Sequence, residues 1–237
     1  IGGSALYIAA NKIITKGKKL AAHLLEAGKN DLEFRDGSFT ILGTDKSISL
    51  KEVAKASFLP ARIPSGLEPG LYETGSFSPE RDTFPNGCHV AEVEIDPETG
   101  QVDIVNYSMV DDVGNIINPM TLKGQIHGGV TQGVGQILME QVVYEPESGQ
   151  LLSGSFMDYA MPRADTMGFI NIKSNIVPTT LNPLGVKGGG EAGTVGAMPA
   201  LMNAIMNALS QVGVDHLDMP ASPDRIWGII QKAKKAT

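Results

Sequence analysis

His89-Val90-Ala91-Glu92-Val93-Glu94-Ile95 alternates inward and outward residue types, Asp96-Pro97-Glu98-Thr99-Gly100 turns the chain, and Gln101-Val102-Asp103-Ile104-Val105 alternates again. A period of two places every second side chain on one face, so these segments predict a pair of antiparallel strands. Further along, Phe169 to Val177 is strand-like. Upstream, Phe34-Arg35-Asp36-Gly37-Ser38-Phe39 carries Asp-Gly between patterned flanks and predicts a hairpin. Helical patterns surround these strands. Residues from about Gly3 to Ala27 place Leu6, Ala9, Ala10, Ile13, Ile14, Leu20, Ala21, Leu24 and Leu25 on one stripe, and Ala27-Gly28-Lys29-Asn30 stops that helix. Ser49-Leu50-Lys51-Glu52 is a capping box, Ala197 to Gln211 is an apolar helix, and Ser222-Pro223 opens a last one. The stretches Pro60 to Gly75 and Pro178 to Gly196 read as Pro/Gly loops. The expected class is α+β: a mixed or mainly antiparallel sheet packed by the long helices near the two ends.

Composition excludes several function classes. The chain has 237 residues, 42% hydrophobic and 19% charged, with a formal charge of −7. Those proportions suit a folded chain with a proper core. The acidic balance argues against a duplex nucleic-acid binder, because phosphate neutralisation needs a basic face. No apolar run reaches the roughly 20 residues of a membrane helix. Ile1-Gly2-Gly3-Ser4 lacks the basic-then-apolar pattern of a signal peptide and reads as an internal cut or processed end. We therefore expect a cytoplasmic protein without a membrane span. The single cysteine, Cys88, excludes an internal disulfide and an iron–sulfur cluster held by this chain alone, and it reads as a small buried residue.

Glycine supplies 28 residues, well above the roughly 7% of average chains. The glycines cluster between patterned segments, where backbone comes close to another backbone or to a ligand. Thr121 to Val143 reads as a helix despite Gly124, Gly128, Gly129, Gly133 and Gly135. Each costs about 1 kcal/mol relative to Ala, so close packing or a ligand must compensate. Within it, Gln125, Gln132 and Gln136 offer both donors and acceptors, suited to a polar heterocycle or a phosphate edge. His127 has no second His or Cys at ligand spacing, and His89 and His216 have no paired motif, so no protein-held metal is expected. Asp111 and Asp112 are adjacent acids on a strand and face opposite ways.

Gly185-Val186-Lys187-Gly188-Gly189-Gly190-Glu191-Ala192-Gly193-Thr194 holds one acid among glycines. Such backbone points N–H groups at a ligand, and a following helix adds its positive end. Glu191 there is a base if burial raises its proton affinity, or merely a cap of the next helix; both readings stand. Gly188-x-Gly190-x-x-Gly193 also fits a dinucleotide pattern, but Asn182-Pro183-Leu184 precedes it rather than a strand, which leaves nicotinamide cofactors a minor alternative. Gly2-Gly3-Ser4 is either a phosphate-binding helix start or a plain N-cap at Ser4. Ser155-Phe156-Met157-Asp158-Tyr159-Ala160-Met161-Pro162-Arg163 lines a pocket or fills a turn.

Taken in order, these segments resemble the molybdenum-binding large subunit of the xanthine oxidase family, the molybdenum hydroxylases, in the branch of aerobic carbon-monoxide dehydrogenase and aldehyde oxidoreductase. The segments are Gly2-Gly3-Ser4-Ala5, the run from Ala91 to Gly100, Asp112-Val113-Gly114-x-x-x-Asn118-Pro119, Gly124-Gln125-Ile126-His127-Gly128-Gly129, Ser155-Phe156-Met157-Asp158-Tyr159 and the run from Gly185 to Thr194. The resemblance covers the C-terminal part of that subunit and implies that residues 1–237 are a molybdenum-cofactor-binding domain, as a fragment or a split subunit. It implies molybdopterin with molybdenum as cofactor, the cytosine dinucleotide form being open. It implies Glu191 as the catalytic base, Gln125 as a hydrogen-bonding partner of the pterin, and Gly2, Gly3 and Ser4 near the cofactor's phosphates. Lys187, Gly188, Gly189 and Gly190 would be backbone beside the cofactor. The pterin holds the metal, so no protein ligand is implied. Expected partners are the rest of the large subunit, an iron–sulfur subunit and an FAD subunit. The implied reaction is oxidation or hydroxylation of an aldehyde, purine, N-heterocycle or carbon monoxide with water as oxygen source. The alternatives are a non-catalytic assembly module that keeps the fold, and a nucleotide-binding oxidoreductase of another class.

Overall fold

In a computed structural model, which describes residues 1–236, the chain divides into two compact units. The first comprises Ile1–Arg81 with Leu181–Leu184, and the second Asp82–Thr180 with the chain from Gly185 onward. Helix and strand are mixed in both, as expected of an α+β chain.

In the first unit, helix α1 (Gly2–Leu24) buries Ser4 near its start and, in its second half, Gly17, Leu20, Ala21 and Ala22. These pack on a three-stranded antiparallel sheet of β1 (Leu32–Arg35), β2 (Ser38–Ile41) and β3 (Ser47–Ser49). The β1–β2 hairpin turns at Asp36-Gly37, both at positive φ. Gly17 is required: a Cβ there would stand 2.7 Å from the Phe39 ring. Ser49 caps helix α2 (Leu50–Ala56) in the predicted capping box with Glu52. Ser4 is not the cap of α1; it sits in the first turn, buried, and Ile1 occupies the N-cap position without a side-chain bond.

In the second unit, β4 (Asn86–Ile95) and β5 (Val102–Asp112) form the predicted antiparallel pair, and β6 (Ile170–Ser174) joins β5 in parallel. Odd-numbered residues of β4 face inward, and on β5 Val102 and Ile104 do so before a bulge and Tyr107 and Met109 after it, while Cys88, on the outward face of β4, is exposed rather than buried. Helices α3 (Pro119–Leu138), α4 (Ala192–Ser210) and α5 (Pro223–Ala236) complete the core through Ile126, Val130, Ile137, Leu201, Ile205 and Ile226.

Two boundaries depart from the sequence expectation. Helix α3 stops at Leu138, and Tyr144 and Leu151 pair across a turn, Glu145-Pro146-Glu147-Ser148-Gly149. That turn repeats the chemistry of Asp96–Gly100: an acid side chain accepts following backbone N–H groups, and a glycine closes the turn at positive φ. Helix α4 begins at Ala192, five residues before the apolar run that predicted it. Gly193 and Gly196 weaken its first turns as an isolated helix, but packing overrides that propensity. A Cβ on Gly193 would stand 2.6 Å from the Ile126 carbonyl oxygen of α3, and one on Gly196 would stand 2.5 Å from the His89 ring. Among the described residues no helix is long and apolar enough to cross a membrane.

Candidate functional site

The turn before α4 is anchored at its root and open at its tip. At the root, Gly114 and Val186 form an isolated bridge, Lys187 N–H donates to Val113 O at 2.8 Å, and Asn115 N–H donates to Gly185 O at 2.9 Å. Gly114 has φ 66°, and a Cβ on it would stand 2.3 Å from Gly185 O. The Lys187 ammonium pairs with the buried carboxylate of Asp112. Asp112 also accepts the N–H groups of Gly114 at 2.8 Å and Val177 at 3.1 Å. Burial pushes its pKa up, but the Lys187 bond and the two backbone donors outweigh that and hold it at about 2. Lys187 thus contributes neither a free ammonium nor a free amide; it pins the turn.

At the tip, the amides of Gly188, Gly189 and Gly190 have no hydrogen-bond partner among the described residues. A Cβ on Gly188 or Gly190 would meet nothing within 4 Å, whereas one on Gly189 would press on Leu122 and Val113. Glu191 follows at the N-cap position of α4, yet its side chain makes no capping bond. Its carboxylate is exposed and lines a cavity of about 270 Å³.

Helix α3 meets this turn through its glycines. A Cβ on Gly129 would stand 3.0 Å from Thr194 N, and Gly133 packs on Ala197. Thr194 Oγ1 ties the helices by donating to Gly129 O at 3.0 Å and to Gln132 Oε1 at 3.3 Å. Gln125 lies one turn before Gly129 and three residues after Leu122, so it shares the α3 face that meets residues 189–194. It is exposed, and its neighbours Gly124 and Gly128 have open space around them. Gln125, Gly188, Gly189, Gly190 and Glu191 all belong to the second unit, and of these Glu191 alone lines the cavity. Gly2, Gly3 and Ser4 belong to the first unit, where they open a 23-residue helix with no side-chain cap.

Other candidates serve structure. His127 Nδ1 donates to Lys123 O within α3 at 2.8 Å. Tyr159 donates to Glu140 at 2.8 Å, and Ser155 bonds Asp158. Phe156 and Met157 remain exposed. Among the described residues no three metal-ligating side chains gather.

Sequence reasoning missed His89, Tyr107 and Asp111. His89 pairs with Met109 across β4 and β5, which makes Tyr107 and Asp111 its two diagonal neighbours on the inward face. His89 Nε2 bonds Asp111 Oδ1 at 3.2 Å and Nδ1 bonds the Tyr107 hydroxyl at 2.7 Å; in the tautomer that donates from Nε2 to the carboxyl oxygen, Nδ1 is the acceptor of the hydroxyl. Burial, with the Asp111 charge second, pushes the Tyr107 phenol above its usual range, which keeps that proton in place. Asp111 Oδ2 is buried and has no hydrogen-bond partner among the described residues. His89 and Asp111 line the same cavity as Glu191. Strand register, once the hairpin is fixed, was the available signal.

Residues 1–168 match the molybdopterin cofactor-binding domain family. The carbon monoxide dehydrogenase large chain of Hydrogenophaga pseudoflava is 36% identical over 96% of this chain, and the nicotine 6-hydroxylase large subunit of Paenarthrobacter nicotinovorans 38% identical over 95%. This chain spans 28% of the length of each. Among solved structures, a Cu,Mo-CO dehydrogenase superposes over 100% of this chain and 30% of its own, with TM-score 0.91 and 33% identity. Quinoline 2-oxidoreductase from Pseudomonas putida 86 does so over 94% and 28%, with TM-score 0.85 and 36% identity. Matched in sequence and fold across both of its units, the chain belongs to the molybdopterin cofactor-binding domain family, in the company of large subunits of molybdenum hydroxylases.

Proposed function

We propose that this chain is the C-terminal cofactor-binding part of a molybdenum hydroxylase large subunit, with Glu191 as the base. The observation that carries the proposal is an unbonded carboxylate at a cavity, set on a pinned turn whose three preceding amides are free. Those residues fit a pterin. The Gly188–Gly190 amides would donate to its oxygen atoms, the open space at Gly188 and Gly190 would admit close approach, and Gln125 would offer both a donor and an acceptor. Gly2, Gly3 and Ser4, taken by themselves, open α1 with uncapped amides of the kind that suit a phosphate. When bound, the group would supply redox chemistry through its metal.

The work of this chain is positional and protonic. Glu191 accepts a proton at its carboxylate when water-derived oxygen is delivered to the substrate. The exposed carboxylate gains the burial that a base needs from the remainder of the large subunit, of which this chain is under a third. The substrate is a small molecule of the aldehyde, N-heterocycle, purine or carbon monoxide group. Iron–sulfur and flavin subunits carry the electrons away, and the chain by itself is inactive. The test is Glu191→Gln in the assembled holoenzyme. Turnover should fall at least about a hundredfold, as for loss of general-base catalysis, with molybdenum content unchanged. Retained turnover would refute the assignment.

A further inference from the structure

Strand β6 is an edge of its sheet. In the order β4-β5-β6 it pairs with β5 on one side, through Ile170 to Ser174. On the other side no backbone group of these residues is bonded among the described residues. Such an edge is a template for another strand. Beside it lies a groove of about 280 Å³, lined by every β6 residue in succession and by no residue of β5. Successive side chains of a strand point to opposite faces, so a cavity that touches all of them runs along the free edge rather than over one face. Its far wall is the start of α3, through Pro119, Leu122 and Lys123. Phe169 lines it too and is 77% exposed. Lys123 and Lys173 border the groove, both exposed and neither paired with a carboxylate among the described residues. A lysine on an edge by itself reads as a guard against stray pairing; an exposed phenylalanine and an apolar wall along the same edge do not.

We infer that this groove takes an extended segment from the remainder of the large subunit, which joins the sheet beside β6 as a fourth strand. The inference rests on the proposed function in one respect: that this chain is part of such a subunit. The chain spans 28% of the length of the relatives it matches, so most of the subunit lies outside it and competes for the edge at the effective concentration of a tethered ligand. Backbone bonds to β6 supply the pairing, and the lining sets the character of the segment. Ile170 and Ile172 face the core, so the segment is apolar on that side, where it covers Leu122. On the outward face Asn171 bonds Asn106 and Ser108 of β5, so the segment is polar there. Opposite Lys173 it carries a carboxylate, because opposite charges on neighbouring strands attract. The occupant is therefore about as long as β6, alternately apolar and polar, and acidic on its polar side.

Amide hydrogen exchange in the assembled holoenzyme, read residue by residue over Ile170–Ser174, tests this. On a strand paired along one edge, alternate amides point to the neighbour and the rest to the free side. With a fourth strand in place both sets should exchange at least about a hundredfold more slowly than in an unstructured chain; a freely exchanging alternate set overturns the inference. Carbodiimide cross-linking of the same enzyme, mapped by mass spectrometry, identifies the occupant. Lys173 should join an Asp or Glu of the large subunit outside this chain. A link from Lys173 to a second copy of this chain or to another subunit, or no link at all, overturns the inference. Failure of the proposed function reads differently. A holoenzyme that contains no further large-subunit sequence overturns that reading and removes the occupant with it; a remainder that is present while every second β6 amide exchanges freely overturns the added strand alone.

Discussion

Asp112 and Lys187 form a buried pair at the root of the turn that presents Glu191, and its charge balance is what holds that turn. Removing one partner strands the other charge away from water. Lys187→Ala should therefore destabilise the second unit by roughly 3 kcal/mol in urea titration, the scale of a broken buried pair; a change below about 1 kcal/mol would show that the turn is held without it. The same pair sets an acid limit. The folded pKa of Asp112, about 2, lies below its ordinary value of 3.8. A depressed carboxylate pKa contributes stability that is fully present above the unfolded value and is lost as pH falls through the folded one. Acid titration of stability should thus show a loss between about pH 4 and pH 2 that Lys187→Ala largely removes. At this scale the sequence announced Glu191 and the glycines but not the Asp112 partner, because 75 residues separate the pair and no local pattern links them. His89 and Asp111 were hidden for a related reason: they meet only through the diagonal of a strand register.

Among the elements, α3 and α4 show glycine used in two different ways. Gly129, Gly133 and Gly193 let two helices touch backbone to backbone, and no larger residue fits there. Gly124 and Gly128 face open space, so nothing among the described residues offsets their helix cost. Gly128→Ala should raise the stability of the chain by about 1 kcal/mol in thermal melts, and it should weaken molybdenum-cofactor retention in the holoenzyme if the pterin approaches that face as proposed. A destabilised Gly128→Ala protein would show that the site is packed after all. The hairpins, the Ser49 capping box and the final helix were legible because each is written in adjacent residues. The start of α4 was not, since its Gly193 and Gly196 are bad helix formers that only the bulk of α3 and the His89 ring explain. The second Glu–Pro–Glu–Ser–Gly turn was legible in principle, being a near copy of the Asp96–Gly100 turn.

At the scale of the molecule, two compact units each carry a small sheet and their own core, and Gln125, the Gly188–Gly190 amides and Glu191 all lie in the second of them. The α+β class followed from the alternation of strand and helix periods, whereas the division into two units leaves no linker signal, because Leu181–Leu184 returns from the second unit to the first. The family was legible from ordered motifs spread over nearly the whole chain. The cavity that Asp111 and Glu191 line was not, because no motif encodes residues that meet only in the fold. The most direct measurement is a crystal structure of the molybdenum-loaded holoenzyme containing this chain. The account predicts the Glu191 carboxylate turned toward the metal, with the Gly188–Gly190 amides and Gln125 on the pterin. A Glu191 side chain in bulk water, or a cofactor on a face away from Gln125, would contradict it.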